Sequence, residues 1–406
     1  MKALTLILLF AIIIYFPLSV SGQEILLFNP SPSLNAVGST GTAIPTEDPL
    51  GFIWNPAQLG FTSMTNNYSY VFYPSKQISI TTFPYSYEIN SYAFNLGYNF
   101  EDLVRLPLSF GFGYSNVESN VFVNGLFSPV DDHHREYYNT YSFGLCVNYY
   151  LQLSAGFSIK DFTSILPEYE GYIIKANRTL NDFGLLLNVP VLRLINKNLT
   201  LELGDGEYLN PKFNFSLGYS KSNIGDSIYY FDGGRADPLP RVDKIGYGIS
   251  TGIEYSTNDF NINVFNFSFT AEAEDVLITW RNYSQWGYQS TLSDLKLWKN
   301  VIMLEGDNKI VSRVGLKIDF VETVSLLHGH FQGRDYPSHR RTNGFELRAK
   351  GLFKLYALWA KDPITDFLKD HIDIRYYNTD FLQDKSNEIK MSGLVFYIQN
   401  INSLFN

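Results

Sequence analysis

Leu108-Ser109-Phe110-Gly111-Phe112-Gly113-Tyr114-Ser115 sets a large apolar side chain at every second position and a small one between. A β-strand sends successive side chains to opposite faces, so this stretch has one greasy face and one of little bulk. The same alternation returns about a dozen times between Asn66 and Ile398, as transmembrane strands of ~10 residues would. A single two-faced strand constrains little. Many of them require a sheet with different solvents on its two sides.

The later strands identify those solvents. Val314, Leu316 and Ile318 alternate with Arg313, Gly315, Lys317 and Asp319; Phe345, Leu347 and Ala349 alternate with Glu346, Arg348 and Lys350. A Lys or Arg on the lipid side of a barrel costs ~2–4 kcal/mol at the bilayer midplane, so the charged face must meet water. The opposite face is too aromatic to be wet along its length: aromatic residues make up 16% of the chain and charged residues 17%. Closure into a barrel satisfies both faces and leaves no strand edge unpaired in hydrocarbon. The expected fold is all-β: a transmembrane antiparallel β-barrel of ~14 strands with an N-terminal plug segment. Arg313, Lys317, Asp319, Glu346, Arg348 and Lys350 are the expected lumen-facing charges. Segments 66–73 and 76–83 read as separate strands, and 343–360 as one long strand or two.

Lys2 followed by the apolar run 3–18 and then Ser19-Val20-Ser21-Gly22 has the form of a signal peptide with cleavage near Gly22. The expected organisation is a signal peptide over 1–22, a plug over 23–64 and an outer-membrane barrel over 65–406. The expected location is the bacterial outer membrane. Past the N-terminus no run of ~20 apolar residues offers a membrane helix. The net charge is −9 with no basic stripe, so nucleic acid is not an expected partner, and outer-membrane lipid is. The single cysteine, Cys146, allows no internal disulfide and reads as a small packing residue. Interruptions at 118–136, 190–211, 221–240 and 271–309 are too long for tight turns and read as extracellular loops.

Candidate chemistry is sparse. Asp131-Asp132-His133-His134 are adjacent on a loop and need not converge on a metal. His328 and His330 share one strand face, but two ligands are too few. No nucleophile elbow or phosphate-binding glycine loop is present, and Gly111 and Gly113 are period-two spacers. The expectation is no catalysis, no metal and no cofactor.

Residues 23–64 do not alternate and are punctuated by Pro and Gly. Within them Asn55 can cap a helix, Pro56 fits its first position and Gly60 can close it after one turn. Asn35-Ala36-Val37-Gly38-Ser39-Thr40-Gly41-Thr42-Ala43 is a small-sided strip, followed by Asp48-Pro49 and then Trp54-Asn55-Pro56-Ala57-Gln58-Leu59-Gly60-Phe61. This series resembles the N-terminus of PorV/PorQ-type proteins, which belong with the FadL-like outer-membrane barrels. The resemblance covers about residues 35–61 in motif and the rest of the chain in architecture. It implies that 23–64 plug the lumen, with Asn35, Gly38, Gly41, Asp48, Pro49, Trp54, Asn55, Pro56, Ala57 and Leu59 as the plug motif. It further implies handling or transport of a hydrophobic small molecule, or service with the proteins of type IX secretion. A secreted soluble all-β binding protein and an outer-membrane hydrolase are the alternatives.

Overall fold

The structure, a computed structural model, describes residues 24–79, 85–101, 106–123, 133–166, 173–196, 199–231, 234, 236–257, 260–282, 285–334, 336–360, 362–384 and 387–400. Residues 1–22, read as a signal peptide, lie outside these, as do Asp131 and Asp132. Strands β1 (Asn66–Ser79), β2 (Tyr85–Asn99), β3 (Leu108–Val123), β4 (His133–Asn148), β5 (Gln152–Ile165) and β6 (Lys175–Pro190) form consecutive antiparallel pairs. After a short β7 (Leu201–Gly204), the wall continues with β8 (Glu207–Ile224), β9 (Val242–Ser256) and β10 (Asn261–Val276). A small hairpin, β11 (Ile278–Asn282) and β12 (Gln285–Tyr288), precedes β13 (Ile310–Phe320), β14 (Val324–Gly333), β15 (Tyr336–Arg348), β16 (Ile372–Asp384) and β17 (Asn387–Gln399). β1 pairs with β17 and β6 with β8, so fourteen antiparallel strands close into a barrel. Both ends of the barrel wall, Asn66 and Gln399, sit opposite each other at one rim, here the terminal rim.

Side-chain chemistry explains the closure. On β4 and β5 exposure alternates strictly, with Tyr141, Phe143, Leu145, Val147, Leu153 and Phe157 turned outward and their neighbours buried. The outward side chains stack across strands, as in Phe94–Phe112–Phe143 and Tyr92–Tyr114–Tyr141. Tyr141 stands eight residues before Tyr149 on the terminal rim, or ~26 Å along the strand and ~20 Å along the axis at a ~40° tilt, of the order of the ~25 Å apolar band of outer-membrane barrels. Beyond Tyr114 and Tyr141 the outward face turns polar. Tyr114 donates to Asn139 Oδ1 at 2.9 Å, and Glu118 pairs with Arg135 at 2.8 Å.

That change of polarity accounts for several departures from the sequence reading. The strands project beyond the apolar band and so run on into 118–136, where the alternation fades. Segment 66–73 and the described part of 76–83, up to Ser79, belong to one strand, with a register shift between Tyr73 and Lys76. The 343–360 segment is neither one strand nor two: β15 ends at Arg348 and a helix, Ala349–Ala357, follows, so Lys350 is not a strand residue. Of the four long interruptions, 190–211 opens at the terminal rim and the other three at the far rim.

Candidate functional site

Residues 24–65 enter the barrel and fill it. The small strip supplies the reason: with few side-chain atoms, its backbone can approach the wall closely. Short helices at Pro32–Ala36, Gly51–Trp54 and Gln58–Thr62 are almost wholly buried. Gly60 does not close its helix but lies inside it, against Leu145, Ser154 and Gly144 of β4 and β5. Pro56 is likewise in the turn between two helices and not at a helix start.

The β2–β6 wall meets this segment with glycine. Gly97, Gly111, Gly144, Gly156 and Gly184 face one another in direct register across five strands. A Cβ on Gly111 or Gly144 would strike Leu59; on Gly156, Pro56; on Gly184, Asn55. Ser109 and Ser154 add hydroxyl donors to the carbonyls of Gly60 (2.7 Å) and Ala57 (2.6 Å).

Polar side chains of residues 29–58 hold the turns. Asn55 Oδ1 accepts from Ala57 N–H at 3.0 Å, while its amide donates to Thr42 O (2.7 Å) and to Leu185 O on β6 (3.2 Å). Gln58 accepts from Thr46 N–H and donates to Gly41 O and Ile44 O. Asn35 bridges Asn29 O and the Ser39 hydroxyl. Asp48 gathers the hydroxyls of Ser31, Ser33 and Tyr73 and the N–H of Leu50, and Pro49 O accepts from Asn95 on β2. Gly38, at φ +75°, donates its N–H to Thr342 at 3.0 Å and leaves no room for a Cβ beneath Val314 O.

The β9–β17 wall grips by charge. Glu272 Oε1 accepts three consecutive backbone N–H groups, from Gly41, Thr42 and Ala43, at 2.9, 2.6 and 3.0 Å. Arg313 pairs with Glu274 at 3.1 Å and reaches Gly38 O. Trp54 lies beneath Lys244 Nζ, 3.8 Å from its ring. Lys317 bridges Asp319 (3.2 Å) and Glu346 (2.7 Å). Arg348 pairs with Asp373 at 3.0 Å, and Arg375 joins Asp373 to Glu47. Lys350, on its helix, donates to Gln399. Of the six charges read from the sequence, Lys317, Asp319, Glu346 and Arg348 come together, Arg313 lies apart with Glu274, and Lys350 sits on the helix after β15. The grip depends equally on Glu47, Glu272, Asp373 and Arg375, which the sequence reading missed. Glu272 fell at the start of a supposed loop, and Glu47 lacks a period to place it.

Toward the far rim the interior is largely apolar. Val117, Tyr138, Phe162, Ala176 and Leu180 from the wall meet Ile25 and Leu26 from the N-terminal segment and Ile228 and Leu239 from the β8–β9 connection. Buried polar groups lie among them, including Lys160 with Asp182 and Asn223, and His134 with Glu136, Ser164 and Tyr230. Cys146 is buried beside Met64. His328 turns outward and bonds Asn343, and no group of metal-ligating side chains occurs among the described residues.

No family model matches the chain, and no curated protein matches it. Solved structures with a similar chain path exist at low identity. The Pseudomonas putida toluene transporter TodX is 12% identical, over 91% of this chain and 98% of that one, with a TM-score of 0.44. A Pseudomonas aeruginosa FadL homologue is 11% identical over 91% and 97%, with a TM-score of 0.36. The transport unit of the autotransporter AIDA-I from Escherichia coli is 11% identical over 82% and 90%, with a TM-score of 0.37.

Proposed function

We propose that the protein is an outer-membrane barrel that passes a hydrophobic small molecule, with residues 24–65 as its plug and 1–22 as its export signal. One observation carries this reading: toward the far rim Phe162, Leu180, Val117 and Tyr138 of the wall pack with Ile25 and Leu26 of the plug into an apolar cluster, where a water-filled pore would present polar side chains. Charges on the β9–β17 wall are engaged with one another and with the plug, so they serve retention and not ion conduction. Uptake of a labelled apolar compound by a Gram-negative host lacking its own channel for such compounds tests the proposal. The unaltered protein should raise uptake, and Phe162→Asp with Leu180→Asp should return it to background while the folded barrel persists. Uptake equal to background with the unaltered protein removes this reading.

A second reading, an accessory of type IX secretion, rests on the Trp54–Phe61 motif. It expects no uptake and recovery of secretion-system proteins in stoichiometric amounts after purification in mild detergent.

A further inference from the structure

The connection between β15 and β16 at the terminal rim is built inside out. It holds two helices, Ala349–Ala357 and Pro363–His371. A surface helix ordinarily turns its apolar stripe inward and its charges to water. Here Lys350 donates to Gln399, Lys354 pairs with Glu322 at 2.9 Å, and Gly351 is pressed against the carbonyls of Val321 and Glu322. The polar side is therefore fixed to the barrel. The apolar side looks outward: Leu352 and Tyr356 are each 59% exposed, Trp359 87% and Ile364 71%.

What covers that surface follows from its neighbours. Phe345 and Leu347 of β15 are outward, exposed members of the apolar band and lead directly into the first helix. A protein seated on the helices would abut this lipid-facing wall, whereas lipid covers both without a break. The cations of the first helix do not compete for this outward surface, because Lys350 and Lys354 are engaged with the barrel. An apolar face backed by a polar one suits the boundary between headgroups and acyl chains.

We propose that this hairpin lies in the headgroup–acyl boundary of the leaflet at the terminal rim and anchors its side of the barrel there, with Trp359 inserted. The proposal rests on the membrane-barrel reading and is independent of what the barrel passes. The full chain is reconstituted in phosphatidylethanolamine–phosphatidylglycerol vesicles with or without brominated acyl chains. The Trp359 signal is the difference between unaltered protein and Trp359→Phe, or Trp359→Tyr should the first fail to fold. Retention of the compact band on an unheated denaturing gel reports folding. Phe143→Trp in the Trp359→Phe background reports the wall. Brominated lipid should remove most of the Trp359 emission, and aqueous iodide little of it. Quenching at Phe143→Trp but not at Trp359 overturns the anchor alone and leaves that face to water or to a protein. Absence of quenching at both positions overturns the membrane reading with it.

Discussion

A single carboxylate shows how closely the wall and the N-terminal segment are matched. Glu272 serves three successive backbone donors, Gly41, Thr42 and Ala43, none of which has a secondary-structure partner. A buried N–H left unmet costs ~1–3 kcal/mol, so Glu272→Ala should release the strip 41–43 from β10. The expected outcome is a leak: larger conductance in planar bilayers, with the barrel band on unheated gels retained. The opposite wall works by subtraction. The Gly-x-Gly spacing at Gly111 and Gly113 was legible as a face without bulk, but what fills that space was not. Alternation encodes which side a residue faces and carries nothing about the segment, some 50 positions earlier in the chain, whose Leu59 comes to rest there. Asn55 was legible as a turn residue; its bond to Leu185 O on β6 was not, for the same reason.

At the level of elements, strands were readable where one face is an apolar band and unreadable where they run beyond it. β3 and β4 continue past Tyr114 and Tyr141 with Asn116, Glu118, Asn139 and Arg135 outward, and the hydrophobic signal ends while the hydrogen-bond ladder does not. The helices after β15 were misread because their outward stripe is apolar, like the strand that precedes them. The start of the second helix has its own chemistry. Asp362 accepts from the Thr365 hydroxyl at 2.7 Å and from the N–H groups of Thr365 and Ile364, both at 3.0 Å. The Thr365 hydroxyl first, and then these N–H groups, hold its carboxyl below the usual range. A carboxyl depressed in the folded state stabilises above its unfolded pKa of about 3.9 and loses that contribution as pH falls through the folded value. Amide exchange at 364–367, corrected for intrinsic rate, should therefore accelerate below about pH 4, and Asp362→Ala should abolish the difference.

Across the whole molecule, residues 29–63 touch every one of the fourteen strands, by charge on one side and by close backbone approach on the other. The two sides meet where β17 returns to β1. There Tyr73 of β1 donates to Asp48, Tyr397 of β17 donates to Glu47 O, and Arg375 of β16 holds the Glu47 carboxylate. Breaking a buried ion pair by removing one partner costs ~3–5 kcal/mol, and Arg375 is 2% exposed with acceptors on both the wall and the plug. Arg375→Met should thus lower the temperature at which the compact gel band is lost more than Glu272→Ala does. Equal shifts would mean that the junction gains nothing from Glu47. The join between first and last strand has a temporal side as well. Glu47 and Asp48 emerge from the ribosome before any strand, and Arg375 and Tyr397 among the last residues of the barrel. The segment made first is the clasp for the strands made last, so a chain that has not yet taken its own N-terminus inside must close β17 onto β1 by the backbone ladder alone.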